Sequence, residues 1–125
     1  MCGFLTYLGS SFSSEDLIDN SDRIRYRGPD NSSHVQIDDN VVFSFHRLSI
    51  MDTSDMGNQP LRLDDLSLVC NGEIYNHNEL KEEHGFVTSS DSDCEVILHL
   101  YKKFGLKETL TKLDGVFAFN LYDAK

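Results

Sequence analysis

The chain has 125 residues and a formal net charge of −10, from 11 basic and 21 acidic residues. This length suits one small domain, which buries roughly two-thirds of the surface that its unfolded chain exposes. A surface with this much negative charge repels phosphate groups, so nucleic acid and anionic membranes are not expected as partners. Because no apolar run reaches about 18 residues, the sequence predicts no membrane-spanning helix.

The three cysteines, Cys2, Cys70 and Cys94, lie far apart in the sequence, and the five histidines are scattered. Zinc sites are usually marked by closely spaced pairs such as Cys-x-x-Cys, and no such pair is present. The sequence therefore predicts no metal site. An odd number of unclustered cysteines is typical of a reducing compartment, which favours a cytoplasmic location.

The chain opens with Met1-Cys2-Gly3, which places a cysteine directly behind the initiator methionine. Removal of Met1, expected before a residue this small, would leave Cys2 with a free α-amino group beside its thiol. That amine has a reference pKa of about 7.7–8.0, so it can accept the thiol proton and leave a nucleophilic thiolate. The alternative is an ordinary Met-Cys start without a catalytic role.

The spacing of apolar residues predicts a mixed α+β layered domain. Strands are predicted over residues 4–8, 34–37, 41–50, 66–70 and 116–122, which are rich in β-branched and aromatic residues. Helices are predicted from the cap Ser13 to about Tyr26, over 76–84 before Gly85, and onward from a capping-box pattern at Ser92–Glu95. Apolar residues at helical spacing after this pattern predict a long helix and then a short one: Ile97, Leu100, Tyr101 and Phe104, followed by Leu106, Leu110 and Leu113.

Period-two counting along the strand that begins at Val41 places Arg47 on the same face as Phe43 and Phe45. A guanidinium that continues an apolar face requires an anion, because an unpaired buried charge is costly. One interpretation is a structural ion pair with Asp30 or Asp52. The other is a bidentate grip on the carboxylate of a ligand. The spacing alone leaves both open.

Three further features allow both a local and a functional interpretation. Asn71-Gly72 at a strand end is first of all a turn signal, but it can also offer a side-chain amide and a backbone N–H as an oxyanion hole. Asp93 suits the first turn of a helix, or it could bind the ammonium group of a ligand. The polar loop 52–60 is long enough for a lid, although a plain surface loop is favoured.

Considered together, a thiol with an adjacent amine, an amide beside a backbone N–H, one cation and one anion are the groups needed to handle glutamine. Seven motifs carrying these residues also follow one another in a familiar order: Met1-Cys2-Gly3-Phe4, Arg27-Gly28-Pro29-Asp30, Phe45-His46-Arg47-Leu48-Ser49-Ile50, Gln59-Pro60-Leu61, Asn71-Gly72-Glu73-Ile74-Tyr75-Asn76, Ser92-Asp93-Cys94-Glu95-Val96-Ile97 and Leu113-Asp114-Gly115-Val116-Phe117-Ala118-Phe119. From Met1 to Lys125 the chain resembles the N-terminal class II glutamine amidotransferase domain of glutamine-hydrolysing asparagine synthetases.

The resemblance implies an N-terminal-nucleophile hydrolase fold, a four-layer αββα sandwich of two antiparallel sheets. It implies that Cys2 is the nucleophile and that Asn71 and Gly72 form the oxyanion hole. The implied glutamine-binding residues are Arg47 for the carboxylate, Asp93 for the ammonium group, and the backbone at Leu48, Ile50 and Glu73. Arg27 and Asp30 would support the site.

The resemblance also implies that residues 1–125 form one amidotransferase domain that is incomplete at its C-terminus, since domains of this family contain further strands. No cofactor is implied for the glutaminase half, and ATP and magnesium would belong to a synthetase domain that is absent from these residues. The expected partners are L-glutamine, a synthetase domain or subunit, and a second copy of the chain, because unpaired sheet edges favour dimers. Two alternatives are a non-catalytic relative that binds glutamine or a partner chain, and an amidotransferase that serves a different acceptor.

Overall fold

A computed structural model describes residues 2–125, so the predicted removal of Met1 lies outside the described residues. The strands are β1 (Gly3–Leu8), β2 (Asn31–Asp38), β3 (Val41–Arg47), β4 (Leu61–Leu63), β5 (Leu66–Ile74) and β6 (Gly115–Asp123). The helices are α1 (Ser14–Asp22), α2 (His77–His84) and α3 (Val96–Lys112), with short 3-10 helices at Arg25–Arg27, Asp55–Gly57 and Asp93–Glu95. The strands form two antiparallel sheets, in the orders β1-β3-β2 and β4-β5-β6. The predicted α+β class is confirmed.

Side chains along the central strand of each sheet point alternately to the two faces of that sheet, so each sheet packs against another layer on both faces. Phe43 and Phe45 of β3 pack against Val69 of β5, and these side chains fill the space between the two sheets. The opposite face of β5, with Leu68, packs against Leu98 of α3. Helix α1 contacts the outer face of the first sheet. This order of helix, sheet, sheet and helix agrees with the predicted αββα sandwich.

A buried histidine joins α1 and β2 to β3. His46 is fully buried, and its Nε2 lies 2.9 Å from both the hydroxyl and the carbonyl oxygen of Ser21. Its Nδ1 lies 2.8 Å from the hydroxyl of Ser32. Both ring nitrogens are therefore satisfied, as a buried polar side chain requires. The network fixes the outer face of β3, so that its inner face can carry Arg47.

Local end signals predicted two helix boundaries correctly and one too late. Ser13 caps α1 in a reciprocal capping box with Asp16, and Gly85 ends α2 in the left-handed conformation at φ 66°. Helix α1 ends at Asp22 rather than near Tyr26, which lies in a separate 3-10 helix. Gly105, at φ 76°, interrupts α3, and the predicted short second helix corresponds to the segment after this break.

Two strand predictions need correction. β3 ends at Arg47 rather than at Ile50, and Asn71-Gly72 is not a turn, because β5 continues through it to Ile74. The pair is held in the sheet by β6, where Gly72 lies opposite Phe117. A Cβ atom at Gly72 would lie 2.3 Å from the carbonyl oxygen of Val116, so this close approach requires glycine.

The predicted capping box at Ser92–Glu95 is also wrong, because Ser92 makes no side-chain cap hydrogen bond. The buried carboxylate of Glu95 instead turns back to the preceding segment. Its Oε1 accepts from the backbone N–H of Ser89 at 2.7 Å and from the Ser89 hydroxyl at 2.9 Å, and Oε2 accepts from the N–H of Ser90 at 2.8 Å and from its hydroxyl. Glu95 therefore shapes the segment that leads to Asp93.

Replacing Glu95 with glutamine should lower the free energy of unfolding by about 1–3 kcal/mol at neutral pH, since one amide oxygen cannot satisfy four donors. Burial raises the pKa of Glu95, but the hydrogen bonds from Ser90 and Ser89 outweigh it and lower that pKa overall. A carboxyl whose folded-state pKa is lowered stabilises the fold above its unfolded-state pKa of about 4.3, and this stabilisation is lost as the pH falls through the folded-state value.

Urea unfolding of wild type and Glu95→Gln across this pH range measures the effect. The difference in unfolding free energy should be constant near neutral pH and should shrink in acid. Glu82→Gln, at an exposed position of α2, is the matched control and should change little. A difference that stays the same at every pH would contradict the role of the ionised carboxylate.

Among residues 2–125 no helix is long and apolar enough to cross a membrane.

Candidate active site

A cavity of about 320 Å³ opens where β3 and β5 end. The residues predicted to catalyse or to bind a ligand all line it, although they come from four separate parts of the chain: Cys2, Arg47, Leu48, Ile50, Asn71, Gly72, Glu73 and Asp93. This volume is within the range of pockets that hold small molecules. The fold therefore assembles the predicted residues around one space.

Cys2 is placed by the pairing of β1 with β3, in which Gly3 lies opposite His46. Its half-buried thiol accepts a hydrogen bond from the backbone N–H of Leu48 at 3.3 Å, and it lies 3.6 Å from the Leu48 carbonyl oxygen. The carbonyl oxygen of Cys2 accepts from Nε of Arg27 at 3.0 Å. Contacts on both sides thus hold the thiol at the rim of the cavity.

Arg27 and Asp30 do not line the cavity, and they hold the backbone around it. The carboxylate of Asp30 accepts from the N–H of Ser49 at 2.8 Å, and the Asp30 N–H donates to the carbonyl oxygen of Arg47 at 3.0 Å. Gly28 allows this approach, since a Cβ there would lie 2.1 Å from the carbonyl oxygen of His46. These positions are compatible with the predicted supporting role, which stays a prediction.

Arg47 makes neither of the two ion pairs considered from the sequence, and no carboxylate of residues 2–125 forms a salt bridge with it. Its Nη1 donates to the carbonyl oxygen of Ser54 and to Oδ1 of Asn58, both at 2.7 Å, and its Nη2 donates to the carbonyl oxygen of Asp52. Asp52 is therefore bound to Arg47 through its backbone carbonyl oxygen, without a salt bridge. The pKa of Asp52 is lowered mainly by the hydrogen bond from the Ser54 hydroxyl, and the nearby charge of Arg47 adds to this. Within the described chain, Nε and one N–H of Nη2 have no partner, so the guanidinium can still bind an anion in the cavity.

Asn71 lies two residues beyond Val69 on the face of β5 that points at the first sheet. Cys2 packs against the same cluster as Val69. The side-chain amide of Asn71 has no hydrogen-bond partner among the described residues. It is therefore an available donor in the cavity that Cys2 also lines.

Asp93 lies in the 3-10 helix just before α3 and is 5% exposed. Its Oδ2 accepts a hydrogen bond from the backbone N–H of Ile74 at 2.6 Å, which ties the end of β5 to the start of α3. Oδ1 has no partner in the described part of the chain. The cavity thus has a partly unpaired cation, Arg47, and a partly unpaired anion, Asp93.

The whole chain, residues 1–125, matches the glutamine amidotransferase domain family. The chain belongs to this family. Over its full length it is 42% identical to "Asparagine synthetase [glutamine-hydrolyzing] 1" of Arabidopsis thaliana and 44% identical to "Asparagine synthetase [glutamine-hydrolyzing] 2" of Oryza sativa subsp. japonica. Over 98% of its length it is 40% identical to "Asparagine synthetase [glutamine-hydrolyzing]" of Mesocricetus auratus. The chain spans 22–23% of the length of these relatives.

The amidotransferase domain contains two further thiols, Cys70 and Cys94, in the wall of the cavity. Sγ of Cys94 lies 3.1 Å from Sγ of Cys70, and both side chains are buried. The contact with the Cys70 thiol, together with burial, raises the pKa of Cys94 well above its ordinary value. A thiol with a raised pKa is a weak nucleophile at neutral pH, so Cys94 should react slowly beside the half-exposed Cys2. Cys70 is 2% exposed, which limits the access of a reagent to its thiol.

The amidotransferase domain also uses two cavity residues that the sequence patterns did not single out. The side chain of Gln59 pairs with the backbone of Cys70 as a neighbouring strand would. Its Oε1 accepts from the N–H of Cys70 at 2.6 Å, and its Nε2 donates to the Cys70 carbonyl oxygen at 3.1 Å. Asp52 caps the loop around Arg47. In the sequence, Gln59 was marked only by the Gln59-Pro60 motif. Asp52 was marked only as a possible ion-pair partner of Arg47.

Proposed function

We propose that this domain hydrolyses the side-chain amide of L-glutamine to glutamate and ammonia through a thioester on Cys2. The observation that carries the proposal is the single cavity, which brings a half-buried thiol, an unpaired amide, a cation and an anion together from four parts of the chain. Membership of the glutamine amidotransferase domain family supports it.

In this reaction the thiolate of Cys2 attacks the amide carbon, and the side chain of Asn71 and the N–H of Gly72 stabilise the resulting oxyanion. The C–N bond then breaks, the leaving nitrogen takes a proton from the α-ammonium group of Cys2, and ammonia departs. Water attacks the thioester and releases glutamate and the thiol. The proposal requires that Met1 has been removed, and it assigns no metal or cofactor to this step.

The ends of the substrate have matching groups in the cavity. In the proposal, the free N–H groups of Arg47 bind the α-carboxylate and the free oxygen of Asp93 binds the α-ammonium group. The backbone of Leu48, Ile50 and Glu73 lines the same space.

We further propose that the ammonia serves the ATP-dependent conversion of aspartate to asparagine on a synthetase domain or subunit. The names of the relatives in Arabidopsis thaliana and Mesocricetus auratus and their greater length support this. ATP and magnesium would belong to that partner, and a cytoplasmic location is part of the same proposal. A different acceptor would be indicated if ammonia release were stimulated by a substrate other than aspartate and ATP.

Intact mass measurement before and after exposure to a diazo-ketone analogue of glutamine tests the glutaminase site. We expect a chain without Met1 that gains one adduct on Cys2, because the Cys70 and Cys94 side chains are only 2% and 3% exposed whereas Cys2 is half-buried. Excess glutamine should block the adduct. A Cys2→Ala variant should gain none.

Two outcomes would overturn the proposal in different ways. Retained Met1 would mean that the α-amine is not on the nucleophile and would favour a domain that binds glutamine without hydrolysing it. Labelling of Cys70 or Cys94 with Cys2 unmodified would remove Cys2 from the nucleophile role.

A further inference from the structure

The loop around residues 52–58 is built directly on Arg47. Three of its polar groups accept hydrogen bonds from the guanidinium: the carbonyl oxygens of Asp52 and Ser54 and the side chain of Asn58. Gly57 packs so closely that a Cβ there would lie 2.4 Å from Nη2 of Arg47. The direction of the guanidinium therefore depends on the shape of this loop.

The carboxylate of Asp52 fixes that shape and reaches across the cavity wall. Its Oδ1 accepts from the N–H of Ser54 at 2.8 Å and from the Ser54 hydroxyl at 2.7 Å. Its Oδ2 accepts from the N–H of Asp91 at 3.0 Å, 39 positions further along the chain. Asp52 is 8% exposed, so these bonds are shielded from water.

Asp91 lies two residues before Asp93, and the carboxylate of Asp93 accepts a hydrogen bond from the N–H of Ile74. The carboxylate of Asp52 thus links the loop that orients the cation to the segment that carries the anion. Within residues 2–125, no other side chain joins these two segments by a hydrogen bond or a salt bridge.

We propose that Asp52 is a positioning residue that sets the spacing between Arg47 and Asp93, and that it thereby makes the site select substrates with both an α-carboxylate and an α-ammonium group. The inference rests on the proposed glutamine-binding role of this cavity. Both oxygens of Asp52 are engaged by the protein, so it acts through Arg47 and Asp93 rather than on the substrate.

Spacing matters because the two charges of an α-amino acid sit on the same carbon atom. Once the carboxylate or the ammonium group is bound, the other group binds as an intramolecular event, which increases the affinity. This increase is lost if the distance between the two protein groups does not match the distance between the two substrate charges. These charges do not change when the side-chain amide is hydrolysed. A defect in spacing should therefore raise KM and leave kcat almost unchanged.

The test compares wild type with Asp52→Asn on two substrates, glutamine and glutaramate, the analogue without the α-ammonium group. Asparagine keeps the size and one acceptor oxygen, so the loop can keep its bonds to Ser54 while the link to Asp91 is lost. We expect kcat/KM for glutamine to fall at least about tenfold through KM, with a much smaller change for glutaramate. The preference for glutamine should fall by the same factor. Asp19→Asn, at an exposed position of α1, is the control.

Equal losses on both substrates would show that Asp52 has a general structural role, and unchanged kinetics would show that it has none. Either result would overturn the inference. Calorimetry in a Cys2→Ala background measures the Kd values of glutamine and glutaramate. Their ratio gives the same preference without depending on turnover. If wild type fails to hydrolyse glutamine but the Kd ratio falls in Asp52→Asn, the glutaminase proposal fails and this inference stands.

Discussion

Replacing Asn71 with alanine should lower kcat for glutamine hydrolysis by about 10²–10³-fold, the usual cost of losing one oxyanion donor. The side-chain amide of Asn71 lines the cavity with Cys2, and it has no partner among the described residues. A donor aimed at the oxyanion acts in the tetrahedral state and hardly at all on bound glutamine. The loss should therefore appear in kcat, with KM almost unchanged.

Steady-state release of glutamate measures this effect, with Asn78→Ala, at an exposed position of α2, as the control. Asn71→Asp is a second variant, because it keeps the size of the side chain but replaces the donor with a repelling charge. Alkylation of Cys2 by a small haloacetamide forms no oxyanion, so it should proceed normally in Asn71→Ala. In Asn71→Asp it should be slower, because the added negative charge disfavours the Cys2 thiolate. Near-normal turnover of Asn71→Ala would remove this residue from the oxyanion hole.

Replacing Arg47 with glutamine should raise KM for glutamine by about 10²-fold or more, as expected when one member of a buried charge pair is truncated. Arg47 is 6% exposed, and two of its N–H groups have no partner within residues 2–125. Without the guanidinium, the α-carboxylate of the substrate would be desolvated without a cation. Arg47→Lys keeps the charge but loses the planar fork, so an intermediate loss is expected.

A substrate without the carboxylate separates this binding role from a structural one. For 4-aminobutanamide, which has only the ammonium group, kcat/KM should be low in wild type and should change little in Arg47→Gln. Arg62→Gln, at an exposed position of β4, is the control on glutamine. If both substrates lose activity by the same factor, Arg47 supports the loop around Ser54 and does not bind the carboxylate.

The sequence predicted those parts of the fold that depend on near neighbours. Period-two alternation along β3 placed Arg47 on the inner face with Phe43 and Phe45, and the structure has it there. Ser13 and Gly85 marked helix ends through bonds and backbone conformations within a few residues. Such features need no knowledge of distant segments.

The errors arose where residues outside the motif decide its local structure. Asn71-Gly72 has the composition of a turn, but pairing with Phe117, about 45 residues away, keeps it in a strand. Glu95 has the spacing of a capping box with Ser92, but its carboxylate accepts hydrogen bonds from Ser89 and Ser90 instead. The first competitor lies far from its motif in the sequence, whereas Ser89 and Ser90 lie close to theirs, but the capping pattern does not tell which serine binds the Glu95 carboxylate.

The candidate site was predicted mainly through the resemblance of its motifs, since spacing left Arg47, Asn71 and Asp93 each with a local alternative. The structure brings them to one cavity, and this result favours the functional interpretation of all three. The hydrogen bond from the N–H of Asp91 to Asp52 could not be predicted, because a backbone donor leaves no mark on the sequence.

The dispersal of the cavity along the chain has a consequence for minimal fragments. The thiol is at residue 2 and the anion at residue 93, so no contiguous peptide shorter than residues 2–93 contains the nucleophile, the cation, the amide donor and the anion. Even that fragment would lack β6, which lies opposite Asn71 and Gly72. A synthetic peptide that copies any one motif therefore cannot reproduce the site.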